Sequence, residues 1–279
     1  MSQKWNAWDL YQVFGQDILV QIQNTYLSLS LDNDYHNWCH AADVVCNLAV
    51  VLQTLEDAGY PLSEIEYLAA CIAAVVHDAG HPGVTNKSFE LLHEVLAEEY
   101  PCCFDSFLER HSIALFCRAL ERPDCQVFPE NMAADSCKAL REMVEPLVLA
   151  SDMACHNDLL DEFASLQSPG VRSRSTRHAN GSFSSSKRYR EAKLDESLFS
   201  MLLKIADLGH CSQDFEDHKA WAMALKKTEF KADPTNFQGQ VGFFDEVMIP
   251  LFKSLAHACP ACGGLLDRVQ HNRKSGTKE

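Results

Sequence analysis

An all-α fold is predicted by three observations. Apolar residues recur at helix-face spacing in several stretches, no stretch alternates convincingly with a period of two, and capping or stop residues separate the stretches. The first face is Ala41, Val44, Leu48, Val51, Leu52 and Leu55, halted by Gly59 and Pro61. Ser63 and Glu66 have the spacing of a capping box and open a second helix, whose Leu68, Ile72, Val75 and Val76 lead into His77. Leu198, Met201, Leu202 and Ile205 lead to Asp207, with Gly209 as the stop. Val241, Phe244, Val247, Met248, Leu251 and Leu255 mark another amphipathic helix. One compact multi-helix domain over residues 1–279, with no regulatory module, is the expected organisation.

Residues 165–193 break the pattern. They are polar, with Ser184, Ser185 and Ser186 near Arg172, Arg174, Arg177, Lys187, Arg188 and Arg190. This composition predicts a mobile surface loop, and its serines are candidate targets for a kinase, whose phosphate would change the local charge sharply.

Bulk composition excludes several classes. A hydrophobic content of 47% supports a sizeable core, and the net charge of −15 argues against a nucleic-acid partner. The longest strongly apolar run, Tyr67 to Val76, is about half the ~20 residues a membrane span needs. The opening Met-Ser-Gln-Lys-Trp-Asn has no signal-peptide core, so a soluble cytoplasmic protein is expected. Of the 12 cysteines, most sit in helix-like runs (Cys46, Cys71, Cys117, Cys155), which reads as buried, reduced thiols. Cys259-x-x-Cys262 has no second pair at zinc-site spacing and reads as two thiols near a helix end. No oligomeric state is legible.

Three clusters carry the chemistry: Tyr35-His36-Asn37-Trp38-Cys39-His40, His77-Asp78-Ala79-Gly80-His81-Pro82-Gly83 and Lys204-Ile205-Ala206-Asp207. On a helix, His36 and His40 would project from one face. His77 and Asp78 follow a second helix, and Asp207 ends a third. Buried imidazoles and carboxylates need compensation, and a divalent ion supplies it. His and Asp ligands suit zinc with water in the open positions, and a carboxylate such as Asp78 can reach a second, harder ion such as magnesium. Such a pair would pin a phosphoryl group for in-line attack. Each cluster alone has an ordinary explanation, a core histidine or a capping aspartate. Three on separate apolar helices favour a metal site.

These motifs resemble the class I cyclic nucleotide phosphodiesterase catalytic domain, a branch of the HD-domain metal-dependent phosphohydrolases. Tyr35-His36-Asn37 with His40-Ala41 and Asp43-Val44, then His77-Asp78 with His81-Pro82-Gly83 and Asn86, are similar to its first two signatures. Asp152-Met153 with His156, Ala206-Asp207-Leu208 with Trp221, and Gln240-Val241-Gly242-Phe243 with Pro250-Leu251-Phe252 come next in order. The resemblance implies that His40, His77, Asp78 and Asp207 hold a first ion, Zn2+, with Asp78 also reaching a second, Mg2+ or Mn2+. It further implies that His81 and Glu109 orient waters and that His36 protonates the departing O3′. Gln240 would bond the purine, with Phe243 and Leu225 as an apolar clamp. The implied reaction is hydrolysis of cyclic AMP or cyclic GMP to the 5′-monophosphate, leaning to cyclic AMP. Another HD-type nucleotide phosphohydrolase and a degenerate paralogue that binds without turnover are the competing readings.

Four departures stand out. His210 replaces an asparagine that contacts the base. The stretch from Trp221 to Gln240 is shorter than usual. A glutamate that orients the catalytic histidine falls on Thr228 by direct count, with Glu229 one residue on and about 100° away around a helix. The section before His36 is short.

Overall fold

The most apolar helix forms the centre of a helical bundle. The computed structural model describes residues 20, 22–27, 33–60, 62–88, 105–121, 134–167, 185–233 and 239–276, and among them no strand occurs. The longer elements are α1 (Trp38–Asp57), α2 (Glu64–Val76), α3 (Phe107–Leu120), α4 (Ala134–Leu149), α5 (His156–Leu166), α6 (Ser185–Asp207) and α7 (Phe215–Thr228). Then come the short α8 (Gln240–Phe243), a π-helical turn (Phe244–Met248), α9 (Ile249–Ala258) and α10 (Gly263–Ser275). Helix α2 is apolar all round and buries every residue from Leu68 to Val76, packed against α1, α4 and α6. Such a helix belongs inside a bundle.

Local signals set the helix ends. The Asn37 side chain accepts from the N–H groups of Cys39 and His40 and starts α1 at Trp38. The predicted Ser63–Glu66 capping box is present at the head of α2. Every residue of the predicted α1 face is buried, and Gly59 closes that helix with φ +85°. Helix α1 is also the one described helix long and apolar enough to cross a bilayer. Its apolar face is taken up by α2 and α6, which makes it a core helix.

Three expectations are corrected. Residues 185–193, expected in the loop, are the first turns of α6, and 165–166 end α5; 168–184 lie outside the described residues. Lys187, Arg188, Glu191, Ala192 and Lys193 are good helix formers, and their polarity does not oppose a helix. Cys46, expected inside, is exposed on α1. The face from Val241 to Leu255 is helical, but a π turn at Phe244–Met248 adds a residue to one turn and re-phases the face over α9.

A buried lysine ties two elements behind the site. Lys204 on α6 is fully buried, and its Nζ donates to the carbonyls of Ala150 (2.8 Å), Ser151 (3.4 Å) and Asp152 (2.7 Å). Burial pushes its pKa down, and Asp207 opposes that fall. Lys204→Met keeps the stem but leaves three carbonyls unmet, so a loss of about 2–4 kcal/mol is expected. Thermal unfolding checks it: Tm should drop by roughly 5–10 °C, and an unchanged Tm would refute the clamp.

Candidate active site

Each cluster is delivered by a helix end. His77 is the C-cap of α2, and its Nδ1 donates to the carbonyl of Ala74 (3.0 Å), which leaves Nε2 with a lone pair. Asp207 is the last residue of α6 and His40 lies in the first turn of α1. His40 Nε2 stands 3.0 Å from Asp207 Oδ1 and 3.6 Å from Asp78 Oδ2. His77 Nε2 stands 3.2 Å from Asp78 Oδ2 and 3.5 Å from Asp207 Oδ1. Ligand atoms held about 2.0–2.2 Å from a tetrahedral ion would be spaced by roughly 3.3 Å, so these four edges fit one.

An orphaned atom supports that fit. His77 Nε2 is buried and makes no hydrogen bond of proper angle, although both carboxylates lie at ion-pair distance. The nitrogen is therefore aimed between the oxygens, where a cation would sit. Burial opposes the charges here, yet the imidazoles of His77 and His36 hold Asp78 well below the usual carboxylate range. His40 and His77 do the same for Asp207.

The single-face reading of His36 and His40 is corrected. Because Asn37 caps α1, His36 precedes the helix, and its ring stands edge-on to that of His40, centroids 6.3 Å apart. The two histidines share Asp78 Oδ2, but their other nearest carboxylates differ, Asp207 for His40 and Glu229 for His36. His36 Nδ1 bonds Asp78 Oδ2 (2.8 Å) and its Nε2 bonds Glu229 Oε2 (2.9 Å). Burial disfavours its charge, but the two carboxylates outweigh that and push its pKa up to about 9. His81 stacks on His36, centroids 3.6 Å apart, and accepts at Nδ1 from the N–H of Gly83 (3.1 Å). Burial and the neighbouring His36 push its pKa down to about 3.

The register question at the end of α7 has a direct answer. Thr228 turns inward and donates to the carbonyl of Ala224 (2.8 Å), while Glu229, the C-cap, reaches His36. On the opposite wall, Glu109 in the first turn of α3 accepts from Asn86 (3.0 Å), and burial pushes its pKa up to about 7. Ser106, just before α3, donates to Asp152 (2.8 Å), which ties this wall to the turn that Lys204 holds.

Not every expected residue joins this group. Leu225 on α7, and Gln240 and Phe243 on α8, are half-buried; 234–238 lie between these helices outside the described residues. His210 is corrected. It is 4% exposed, its Nε2 lies 3.4 Å from the Tyr35 hydroxyl and its Nδ1 lies 3.1 Å from His218 Nδ1. Both of its ring nitrogens thus face other buried side chains. Tyr35 packs on His40 (4.6 Å) and Trp221 lies edge-on to both (5.6 and 5.5 Å), so aromatic rings back the ligand group.

The turn after Asp207 is held from two sides. Asn47 on α1 donates to the carbonyl of Ala206 (3.2 Å), and a Cβ on Gly209 would lie 2.4 Å from the Asn47 amide nitrogen. Only glycine permits that approach. Asn272 on α10 donates to the carbonyls of Cys211 (3.0 Å) and Gln213 (2.8 Å). Asn272 was missed in the sequence, where it has no motif around it. Lys204 did lie beside Asp207 in a recognised motif.

Comparison with known proteins places this arrangement. The profile of the 3′,5′-cyclic nucleotide phosphodiesterase family matches residues 35–233, more than half of the chain. The chain belongs to that family. A 3′,5′-cyclic-AMP phosphodiesterase of Drosophila melanogaster (isoform F) is 29% identical over 268 residues, 87% of this chain and 38% of its own length. The chain thus spans well under half the length of the curated relatives it matches. The crystal structure of the phosphodiesterase domain of a rhodopsin–phosphodiesterase fusion protein from the choanoflagellate Salpingoeca rosetta superposes with a TM-score of 0.78 at 26% identity. It covers 96% of this chain and 86% of that one. A second structure of that phosphodiesterase domain gives 0.76 and 26%, covering 96% and 83%. The all-α phosphodiesterase fold and family expected from the motifs are therefore present.

Proposed function

We propose that this chain hydrolyses 3′,5′-cyclic nucleotides to nucleoside 5′-monophosphates with the help of two divalent ions, cyclic AMP being the favoured substrate. The observation that carries this reading is the convergence of His40, His77, Asp78 and Asp207 at 3.0–3.6 Å, with His77 Nε2 unpaired among them. These four would hold a first ion, zinc, and Asp78 with waters oriented by His81 and Glu109 would hold a second, magnesium or manganese. When bound, such ions polarise the phosphoryl group and acidify water.

The chain's own residues do the rest. Attack of water on phosphorus breaks the P–O3′ bond, and O3′ must leave with a proton. We assign that proton to His36: Asp78 at Nδ1 and Glu229 at Nε2 favour the charged ring, and Nε2–H would exchange Glu229 for the departing O3′. Water's OH ends on phosphorus, its proton balancing the one His36 gives up. Gln240 offers a donor and an acceptor to the purine edge, with Phe243 and Leu225 as its apolar walls. Base–aromatic stacking of this kind contributes about 1–3 kcal/mol.

The test is hydrolysis of cyclic AMP and cyclic GMP by purified protein with zinc and magnesium. Release of the 5′-monophosphate that stops on chelation is the expected result, and metal-loaded protein without turnover would refute the reading. In the same assay Gln240→Ala should raise KM about tenfold, one lost hydrogen bond being worth roughly 1–1.5 kcal/mol. An unchanged KM would move base recognition elsewhere.

A further inference from the structure

A second set of metal-type donors converges away from the four ligands above. His210 and Cys211 lie in the turn Gly209–Ser212, and His218 lies in the first turns of α7. All three are buried, at 4%, 0% and 1% exposure. His210 Nδ1 is 3.1 Å from His218 Nδ1 and 3.8 Å from Cys211 Sγ, and the three donor atoms lie within 4.8 Å of one another. Two imidazoles about 2.0–2.1 Å and a thiolate about 2.3 Å from a tetrahedral ion would space their donors by roughly 3.3–3.6 Å. The two observed edges bracket that range.

Ring orientation points the same way. The planes of His210 and His218 are 9° apart, their centroids 5.2 Å apart and their Nδ1 atoms 3.1 Å apart, so the two Nδ1 atoms face each other. The far nitrogen of His210 meets the Tyr35 hydroxyl at 3.4 Å, the kind of outer hydrogen bond that orients a ligating imidazole. Without an ion, one Nδ1–H donates to the other Nδ1, and the Cys211 thiol adds only a weak third contact. Burial drives all three toward their neutral forms, the histidines down and the Cys211 thiol up.

We propose that His210 Nδ1, His218 Nδ1 and Cys211 Sγ form a further metal site, separate from the catalytic group, that takes zinc or a similar thiophilic ion. Binding displaces the Cys211 thiol proton to solvent, so zinc uptake here is coupled to release of one proton. The site crosslinks the turn after Asp207 to α7. That turn already receives Asn272 from α10, and Tyr35 links it to the ring of His40. A filled site therefore stiffens the backbone that carries Asp207, and its role is structural. The inference does not depend on the reaction proposed above, because the donors include a thiol that the catalytic group lacks.

Cobalt separates the two sites. Full-length protein stripped of metal and reloaded with Co2+ should show a near-ultraviolet sulfur-to-cobalt charge-transfer band, which histidine and aspartate ligands alone cannot produce. Cys211→Ser should remove the band and lower zinc content by one equivalent. His218→Gln, a second variant should the first fail to fold, should weaken both. Asp207→Ala should lose a catalytic equivalent and keep the band. Absence of the band from the wild-type protein, or a band and zinc content unchanged in both Cys211→Ser and His218→Gln, would overturn the proposal. The cluster would then be a hydrogen-bonded histidine pair beside an idle thiol.

Discussion

Asp207→Ala is expected to abolish turnover. Its Oδ1 faces His40 Nε2 at 3.0 Å and His77 Nε2 at 3.5 Å, so the substitution removes one of the two carboxylates that both imidazoles share. Alanine can neither ligate an ion nor offset the imidazoles. Stabilisation of transition-state charge by a bound ion is worth several kcal/mol, which converts to a loss of about 1,000-fold or more. Metal content and hydrolysis should fall together while the circular dichroism of the helices persists. Full activity in this variant would refute the ligand assignment.

His36→Ala should act on a different parameter. A general acid works in the transition state, so kcat should fall about 100- to 10,000-fold while KM moves little. The structure explains why no neighbour can substitute. His81, stacked on His36, has its pKa lowered chiefly by burial, which persists when His36 is removed, so it is a poor proton donor. Glu229 can orient a proton donor, but without His36 it has nothing to orient. If KM alone rose, His36 would be a binding residue and the proton would come from elsewhere.

The two variants probe a site whose parts differed in how far the sequence revealed them. Helix faces were legible because burial selects apolar side chains at the period of the helix, and all six residues marked on α1 are inside. The three clusters were legible as a candidate metal site because buried imidazoles and carboxylates at helix ends are costly without a shared cation, and the resemblance implied His40, His77, Asp78 and Asp207 as the ligands among them. The polar stretch opening α6 misled, since polarity reports on solvent while helicity depends on propensity and neighbours.

What the sequence by itself determined is the helical class, the helix start at Ser63 and the three clusters from which the family resemblance draws a ligand group; these depend on residue type and on spacing within one segment. Only the tertiary structure decided that Glu229 rather than Thr228 meets His36, that His210 turns to Tyr35 and His218, and that Lys204 and Asn272 clamp the backbone beside Asp207. Each of those contacts joins residues from different elements. Their geometry follows from how helices pack, and a rotation of one residue about a helix axis, about 100°, is enough to exchange a partner for a neighbour.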